Sequence, residues 1–445
     1  MYLNLLLLLS ITQEYNPTSL IVRPNNNIGT RKYVKYDVKK IKRISEIDNT
    51  ELWELNDNTD LDSFMSSLQK DSNIDFVEKD YVIKLDKVVN DAFINSQWAI
   101  EHNMLNLEKA WDISTGSRDI LVGVVDTGID FEHNDLKNNM FINPNEIPDN
   151  GLDDDNNGYI DDIHGWNFAA NVKNGMDDEG HGTHCAGIIG AEGNNNLGVA
   201  GVNWKISLVA LKFFDENGRG YTSRAIKAID YGTKMKIDIL SNSWGGAPKS
   251  QALLNAIKRY SDSGGIFVSS AGNSILNNDY YNAYPCNYNI NNIICVASND
   301  EEDKLSYFSN YGKKYVHLAA PGSNILSTMP QNSYLKQSGT SMAAPQVTGA
   351  IALILSVKKL NANEIKTLLL MTVDRKCAYQ DRVKWGGRLN VYKALKLLSD
   401  EPKPIRDECD VRMNNIPNAP SKWKCENEMK KKCLWDNYNF ICKKK

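Results

Sequence analysis

The chain has 445 residues, more than one ordinary domain contains, so two or three folded units are expected. Hydrophobic residues make up 42% and charged residues 24%, which is typical of globular proteins and argues against a disordered, fibrous or multi-span membrane protein. The formal net charge is −4, so there is no overall positive field to hold nucleic acid, and we expect no nucleic-acid partner.

The N-terminus carries a short apolar run. Leu5 to Leu9, followed by Ser10 and Ile11, is too short to span a bilayer but is typical of the core of a secretory signal. We therefore predict a signal peptide at residues 1–17 and a secreted protein, or one in the lumen of the secretory pathway or a vesicle. A buried N-terminal strand is the alternative. No later stretch is apolar enough for a bilayer, so we expect no transmembrane anchor.

Residues 18–90 predict a small α+β unit. The apolar pattern indicates strands at Ser19–Arg23, Arg31–Tyr36 and Ile74–Leu85, and a helix at Asp60–Gln69.

The central part of the chain, residues 91–400, alternates strand and helix patterns. Residues 119–126 form a β-branched apolar run typical of a buried parallel strand. Similar runs follow at Ile206–Leu211, Ile237–Ser241, Gly265–Ser269, Ile293–Ala297 and Val316–Ala319, with helical patterns such as Ser223–Met235 and Ser250–Ser263 between several of them. This order predicts an α/β domain with a mainly parallel sheet flanked by helices, whose functional groups gather beyond the carboxyl ends of the strands.

Three segments of this domain carry the candidate chemistry. Asp126 stands in Asp-Thr-Gly at a strand end, His181 opens a helix in His-Gly-Thr-His, and Ser341 opens another in Gly-Thr-Ser-Met-Ala. Acyl transfer needs a hydroxyl nucleophile, an imidazole that takes its proton, and a carboxylate that orients the imidazole. A serine at a helix start can also offer its own backbone N–H to an oxyanion.

The three segments together, in the order Asp, His, Ser and with these spacings, resemble the subtilisin-like serine proteases, the subtilase family. The sequence Ser-Ala-Gly-Asn that ends at Asn273 belongs to the same resemblance, which covers residues 93–400. The resemblance implies a serine endopeptidase that acts on protein or peptide substrates through an acyl-enzyme. The catalytic residues it implies are Ser341 as nucleophile, His181 as general base and acid, Asp126 as orienting carboxylate, and Asn273 as side-chain donor of the oxyanion hole.

The resemblance also implies a substrate cleft. Its residues would be Ser243, Trp244, Gly245, Gly272 and Ala283, with the edge at 243–245 pairing with the extended peptide. Trp244 would be a wall between two pockets or, alternatively, a core residue, and Ala283 would lie at the floor of the main pocket before a Tyr284–Pro285 bond that is cis in relatives. Because no acidic residue aligns with the pocket, we expect an uncharged residue before the scissile bond.

An acidic loop predicts a structural calcium site. Oxygen-bearing residues alternate along it in the pattern of the first half of an EF-hand loop, which suits Ca²⁺. The predicted ligands are Asp153, Asp155, Asn157 and Tyr159, with Asp161 or Asp162 supplying the missing charge because His164 replaces the expected Glu. A solvated acidic surface loop is the alternative.

A second calcium site is implied by the family resemblance alone. Its ligands would be Asp135, Asn194, Leu197 and Val199, several of them through backbone carbonyls, and which asparagine of residues 194–196 coordinates stays open. His184, one turn after His181, is expected to pack structurally, with a His-x2-His metal site as the alternative.

The resemblance gives residues 18–90 a role as an inhibitory propeptide. Ser341 would cut the chain between Lys84 and Asn95 during maturation, so the protein would be a self-cleaving zymogen with its own leader as a partner. A permanent N-terminal interaction domain is the alternative.

The eight cysteines fall into three groups. Cys286 and Cys295 flank a short Asn-rich loop and are predicted to pair. Cys185 and Cys377 are most simply two unpaired thiols, with a disulfide between them as the alternative. Cys409, Cys425, Cys433 and Cys442 lie in the tail, residues 401–445, where two disulfides are expected rather than zinc, because no Cys-x2-Cys pair and no histidine occur there.

The tail is basic, with 11 Lys and Arg against 6 Asp and Glu from Pro402 onwards. The charge predicts either a solvated surface or a surface that binds a partner. A rival hypothesis makes the chain chiefly a binding or targeting protein whose cysteine-rich tail is the main functional element.

Overall fold

The computed structural model of the protein describes residues 15–25, 36, 38–82, 89–173 and 175–399. The apolar run at the N-terminus, the strand predicted at 31–35 and the tail with its four cysteines lie outside these residues. The chain divides into two compact units, Met1–Lys87 and Val88–Lys445, so the division falls three residues before the predicted start of the second domain at 91.

The first unit contains a four-stranded antiparallel sheet in the order β2-β3-β1-β4 and one helix, α1, that contacts β1 and β4. The elements are β1 Tyr15–Pro24, β2 Val38–Arg43, β3 Glu51–Leu55, α1 Leu61–Leu68 and β4 Ile74–Tyr81. The Asp60 side chain accepts a hydrogen bond from the Ser63 backbone and so begins α1. Buried Leu20, Trp53 and Val77 fill the core.

Three strand assignments in this unit differ from the sequence prediction. β2 covers Val38–Arg43, after the range 31–36 in which a strand was predicted. β1 begins at Tyr15, inside the range predicted for the signal peptide. β3 was not predicted, because its sequence Glu-Leu-Trp-Glu-Leu lacks β-branched residues, although its side chains alternate between buried and half-buried as a strand requires.

The second unit is built on a nine-stranded sheet in the order β14-β15-β11-β10-β9-β8-β5-β7-β6. Its strands are β5 Gly116–Asp126, β6 Gly165–Asn167, β7 Lys205–Lys212, β8 Ile239–Asn242, β9 Ile266–Ser270, β10 Ile293–Asn299, β11 Leu318–Pro321, β14 Asp374–Arg375 and β15 Gly387–Arg388, and β12 Ile325–Met329 with β13 Ser333–Gln337 forms a separate hairpin. All neighbouring strands are parallel except β14 and β15. The predicted α/β class is therefore confirmed.

Helices cover this sheet. They are α2 Trp98–Glu101, α3 Leu107–Trp111, α4 His181–Gly190, α5 Thr222–Lys234, α6 Gln251–Asp262, α7 Thr340–Val357, α8 Ala362–Thr372, α9 Cys377–Gln380 and α10 Val391–Ser399. One core cluster includes buried residues of α4, α7 and α10, and a second lies between the sheet and the pair α5 and α6. Helix α7 is long and apolar enough to cross a membrane by composition, and 83% of it is buried, so the core accounts for its apolar character.

Candidate active site

Asp126 ends β5 at the carboxyl edge of the sheet and is fully buried. Its Oδ1 accepts a hydrogen bond from the Thr127 backbone N–H at 2.8 Å. Lys212 is the last residue of β7 and lies opposite Asp126 in the strand register. Its Nζ lies 2.6 Å from the Thr127 carbonyl oxygen and 2.6 Å from Asp178 Oδ1. The turn after β5 is thereby fixed from two sides.

His181 is the first residue of α4, and its Nδ1 lies 2.8 Å from Asp126 Oδ1. Asp177 stabilises the start of this helix, because its carboxylate accepts the backbone N–H groups of Gly180 and Thr183. The imidazole is about a quarter exposed (28%), so one edge faces the surface while the other meets the buried carboxylate.

The pKa of His181 reflects two opposing effects. Burial lowers it, but the Asp126 charge and hydrogen bond outweigh burial and raise the pKa well above its usual value of 6.5. The Asp126 carboxylate therefore stabilises the imidazolium form of His181. In the neutral imidazole, Nδ1 carries the proton and donates a hydrogen bond to Asp126.

Ser341 is the second residue of α7. Its Oγ donates to the Ser243 carbonyl at 3.0 Å, and Ser243 Oγ donates to the Ser341 carbonyl at 2.8 Å. The buried thiol of Cys185 joins these groups, since its Sγ lies 3.4 Å from the Ser341 carbonyl and 4.0 Å from His181 Nδ1. The three predicted segments therefore meet, with the Ser341 hydroxyl turned towards Ser243.

Two N–H donors converge beside Ser341. The Asn273 Oδ1 accepts from the Thr340 backbone and hydroxyl, both at 2.8 Å, which leaves its amide nitrogen free to face outwards. A Cβ built on Gly339 would lie 3.4 Å from Asn273 Nδ2 and 3.5 Å from the Ser341 backbone nitrogen. Because Gly339 has no side chain, this space can receive an oxygen atom that accepts from both donors.

A cavity of about 390 Å³ opens next to these donors. All five residues predicted to bind substrate line it, namely Ser243, Trp244, Gly245, Gly272 and Ala283, together with Asn273 and Ser341. None of its lining side chains is ionisable at neutral pH. Trp244 lines the cavity and also packs on Phe213 of the core, with ring centroids 5.1 Å apart. The Tyr284–Pro285 bond beside Ala283 is cis.

The acidic loop forms a compact carboxylate cluster. Ligand atoms of Glu146, Asp155 and Asp162 all lie within 4.8 Å of one another. Asn157 Nδ2 donates to both Asp155 and Asp162, and the Asp153 carboxylate accepts the backbone N–H groups of Asn157 and Gly158.

The sequence analysis missed Glu146, because it lies outside the repeating motif. Its Oε1 accepts the backbone N–H groups of Asp154 and Asp155, and its Oε2 that of Asp161, so the loop folds around it. Asp161 is not part of the cluster, since its carboxylate lies 3.2 Å from Lys173 Nζ and accepts from the Asn150 backbone. The Tyr159 ring packs edge-on against Trp166.

The second predicted calcium region centres on buried Asp135. Its carboxylate accepts from Asn195 Nδ2 at 2.8 Å and from the Val199 backbone at 2.9 Å. Asp91, which the sequence analysis also missed, is 2% exposed, and its Oδ2 accepts from the Asn194 backbone.

The Oδ1 of Asp91 is buried and has no hydrogen-bond partner among the residues that the structure describes. Burial raises the pKa of Asp91 and of Asp135, and the Asp135 charge raises that of Asp91 further. An orphaned buried carboxylate oxygen next to a second carboxylate fits a hard cation. The residues present therefore fit Ca²⁺ at this position. Asn194 and Asn196 adopt positive φ angles, which explains the asparagines of this loop.

His184 and the free cysteines have structural surroundings. His184 is fully buried, and its Nε2 lies 3.0 Å from the backbone carbonyls of Ile325 and Leu335, as expected for a packing residue. Cys286 and Cys295 form a disulfide, which confirms that prediction. Cys185 and Cys377 have no disulfide partner within the described part of the chain, so the alternative disulfide between them is wrong.

An α/β unit with an Asp–His pair, a serine at a helix start and two converging N–H donors is the arrangement of a serine hydrolase. A sequence profile described as the Subtilase family matches residues 117–391. The chain belongs to the subtilase family.

Three relatives illustrate the similarity. Subtilisin-like protease 1 of Plasmodium berghei (strain Anka) is 36% identical over 331 residues, which cover 69% of this chain and 54% of that protein. Thermitase of Thermoactinomyces vulgaris is 34% identical, with coverage of 69% and 99%. A solved protease from Pseudoalteromonas arctica superposes with a TM-score of 0.57 at 28% identity, with coverage of 69% and 99%. The chain spans about half the length of its Plasmodium berghei relative.

Burial lowers the pKa of His184 from 6.5 to about 4, so we predict a specific acid sensitivity. Below pH 6.5 the unfolded chain binds a proton at His184, whereas the folded chain binds it only near pH 4. The free energy of unfolding therefore decreases as the pH falls from 6.5 towards 4. The shift corresponds to roughly 3 kcal/mol. Replacing the imidazole by an amide, His184→Gln, keeps a donor for the two carbonyls and should flatten the decrease of unfolding free energy across this window.

The measurement is urea unfolding of both proteins at pH 4 to 7. Substitution of the exposed His102, for which we propose His102→Gln as a control, should leave the pH dependence as in the parent. Parallel curves for the parent and His184→Gln would contradict the assignment.

Proposed function

We propose that the chain is a serine endopeptidase that cleaves protein or peptide substrates through an acyl-enzyme. The observation that carries the proposal is the 2.8 Å bond between Asp126 and His181 beside a serine whose backbone N–H converges with the Asn273 amide. Membership of the subtilase family supports it.

The reaction follows from this geometry. The Asp126 bond keeps the proton on His181 Nδ1, which leaves Nε2 basic. On substrate binding the Ser341 hydroxyl turns from the Ser243 carbonyl to Nε2, gives it its proton and attacks the scissile carbonyl carbon. The oxygen of that carbonyl becomes negative and accepts from Asn273 Nδ2 and the Ser341 N–H.

The intermediate then collapses, and Nε2 returns the proton to the leaving amine as the carbon–nitrogen bond breaks. Water repeats the sequence on the acyl-enzyme, with His181 again taking and returning one proton. The raised pKa of His181 supports this role, because Asp126 stabilises the imidazolium that forms in each half-reaction. Activity should fall in acid as the free imidazole becomes protonated.

The cavity beside Ser341 supports a substrate preference. Its lining provides no carboxylate for a Lys or Arg side chain, so we propose an uncharged residue before the scissile bond. The edge at Ser243 to Gly245 would pair with the substrate backbone. A Cβ on Gly245 would lie 3.0 Å from the Tyr284 carbonyl oxygen, so the glycine keeps the space between these two segments open.

The remaining roles rest on the family and the sequence. We propose that residues 18–90 act as an inhibitory propeptide that Ser341 removes, and that the protein follows the secretory pathway. The Cys286–Cys295 disulfide supports an oxidising compartment. The role of the basic tail stays a prediction.

We also propose two structural calcium sites. Glu146, Asp155 and Asp162, with Asp153 and Asn157 close by, would hold one ion. Asp91 and Asp135, with carbonyls of the loop at 194–199, would hold the other. In both places a divalent cation would offset the repulsion between buried carboxylates.

Removal of the nucleophile tests the reaction. Ser341→Ala should lower kcat by about 10⁴-fold or more, abolish labelling by a fluorophosphonate probe, and leave the leader uncleaved. Peptide hydrolysis, gel-based labelling and N-terminal sequencing of the purified full chain provide the readouts. The exposed Ser338, three residues earlier, gives the matched control Ser338→Ala, which should mature and label normally. A Ser341→Ala protein that matures and hydrolyses peptide would refute the mechanism.

Blocking the converging donors tests the oxyanion hole without disturbing the fold. The Gly339→Ala methyl would lie 3.4 Å or more from its nearest neighbours, an ordinary contact distance, in an extended backbone that alanine adopts. Stability should be unchanged or rise by about 0.4–1 kcal/mol. We expect kcat to fall by about 10²–10³-fold, the cost of losing one such donor, because the methyl occupies the place of the oxyanion. Steady-state kinetics and thermal unfolding check both expectations; unaltered kcat would contradict them.

Calcium removal tests the metal sites. A site saturated to about 100 times its Kd contributes roughly 2.7 kcal/mol, so EDTA should lower the Tm by several degrees. Titration calorimetry should give two sites in the parent and one in each of Glu146→Gln and Asp91→Asn. Asp154→Asn, in the same loop but outside the cluster, is the control and should keep both. A Tm that does not change in EDTA would contradict the two proposed calcium sites.

A further inference from the structure

The segment Ala271–Leu276 follows β9 and contains Asn273. A second asparagine, Asn310, makes several hydrogen bonds to this segment. Asn310 is 3% exposed and lies more than thirty residues later in the chain. It belongs to none of the motifs that the sequence analysis singled out. It contacts residues that precede Asn273 in the sequence and residues that follow it.

Before Asn273, Asn310 holds two carbonyls. Its backbone N–H donates to the Gly272 carbonyl at 2.8 Å, and its Nδ2 donates to the Ala271 carbonyl at 3.1 Å. The same Nδ2 also donates to Asn278 Oδ1 at 3.0 Å. After Asn273, the Asn310 Oδ1 accepts from the backbone N–H groups of Ser274 at 2.9 Å and Leu276 at 3.0 Å.

The Asn310 carboxamide therefore uses both of its donors and both of its acceptor positions. A carboxylate lacks the donors, and a hydroxyl has too few of either and reaches less far. The side chain is matched to this segment of backbone.

The segment is strained where Asn310 holds it. Ile275, between the two N–H groups that Asn310 binds, has a φ of +62°, a left-handed conformation that a β-branched residue rarely adopts. Its side chain is 61% exposed, so burial does not hold it there. The contacts that do are those of Asn310 with its neighbours and the bond from the Ile275 N–H to the Phe308 carbonyl at 3.1 Å.

The contact also depends on a glycine. A Cβ on Gly272 would lie 2.6 Å from Asn310 Nδ2, and Gly272 has a φ of +106°. The close approach of Asn310 therefore requires the glycine that precedes Asn273.

We propose that Asn310 is a positioning residue for the peptidase reaction, which fixes the Asn273 amide where it converges with the Ser341 N–H. This inference rests on the proposed role of Asn273 in binding the oxyanion. The Asn273 side chain is tied to Thr340, but its backbone is set by the segment that Asn310 holds. A donor displaced by a fraction of an ångström loses most of its effect on the transition state. Asn310 also lines the substrate cavity, but the cleft edge from Ser243 to Gly245 would still bind the substrate, so the loss should fall mainly on kcat.

A double-mutant cycle tests the inference on the full chain. We expect Asn310→Ala to lower kcat about ten- to hundredfold with KM changed less than about threefold. In an Asn273→Ala background the same substitution should lower kcat by less than about threefold, because the donor it positions is already gone. An equal loss of kcat in both backgrounds, or a change in KM alone, would overturn the inference.

A control variant distinguishes the positioning role of Asn310 from a purely structural one. Asn292 is equally buried and its Nδ2 holds the Gly265 carbonyl at 2.9 Å, at the opposite end of β9. Asn292→Ala should lower the Tm, yet leave kcat unchanged in both backgrounds. An Asn292→Ala variant that reproduced the kinetic pattern of Asn310→Ala would likewise overturn the inference.

Two further measurements keep the test decisive. If Asn273→Ala retains normal kcat, the proposed role of Asn273 is wrong, whereas an additive cycle contradicts the role of Asn310 only. If Asn310→Ala does not fold, the cycle is run with Ile275→Gly in all four proteins, since glycine adopts the left-handed conformation without strain. The same non-additivity is expected there, and additivity overturns the inference as before.

Discussion

The buried carboxylate of Asp126 is the constraint on which the site depends. A charge without solvent is tolerated only where partners compensate for it, and here the Thr127 N–H and His181 Nδ1 converge on one oxygen, Oδ1. The other oxygen, Oδ2, is buried and has no partner in the described ranges of the chain. Rotation of the carboxylate would break both hydrogen bonds to Oδ1, and no other described residue would replace them. The carboxylate is therefore held in place and fixes the orientation of the His181 imidazole. The raised pKa of His181 is the electrostatic consequence.

The parallel sheet makes this arrangement possible. Asp126, Asn242 and Ser270 end neighbouring strands at one edge, so the residues that follow them meet without any close relation in sequence. Helices α4 and α7 then approach the same edge with their N-termini, where backbone N–H groups lack partners in the helix. Ser341 thus supplies both a hydroxyl and a free N–H from one position.

Much of this could be predicted from the sequence, and what could not has physical causes. The buried strands are continuous β-branched runs, so their positions along the chain and the α/β class follow from local pattern, and Asp126 ends β5 and Asn273 follows β9 as expected. Glu146 was missed because it precedes the repeating motif, whereas Asp91 and Asn310 were missed because each acts over a distance in sequence. Asp91 reaches the loop at 194–199, and Asn310 reaches residues 271–276. Only the folded backbone brings these partners together.

The hairpin of β12 and β13 shows how far such long-range contacts extend. Ser327 and Thr328 donate to carbonyls of α4, and the Leu335 and Ile325 carbonyls accept from His184 one turn after His181. From the same hairpin the Tyr334 hydroxyl donates to Asp135 at 3.2 Å. Three residues beyond β13, at Thr340, the chain begins α7, whose second residue is Ser341. The Asp135 region, the helix of His181 and the approach to Ser341 therefore share one support, so an ion that stabilises Asp135 would also stiffen the frame of the active site.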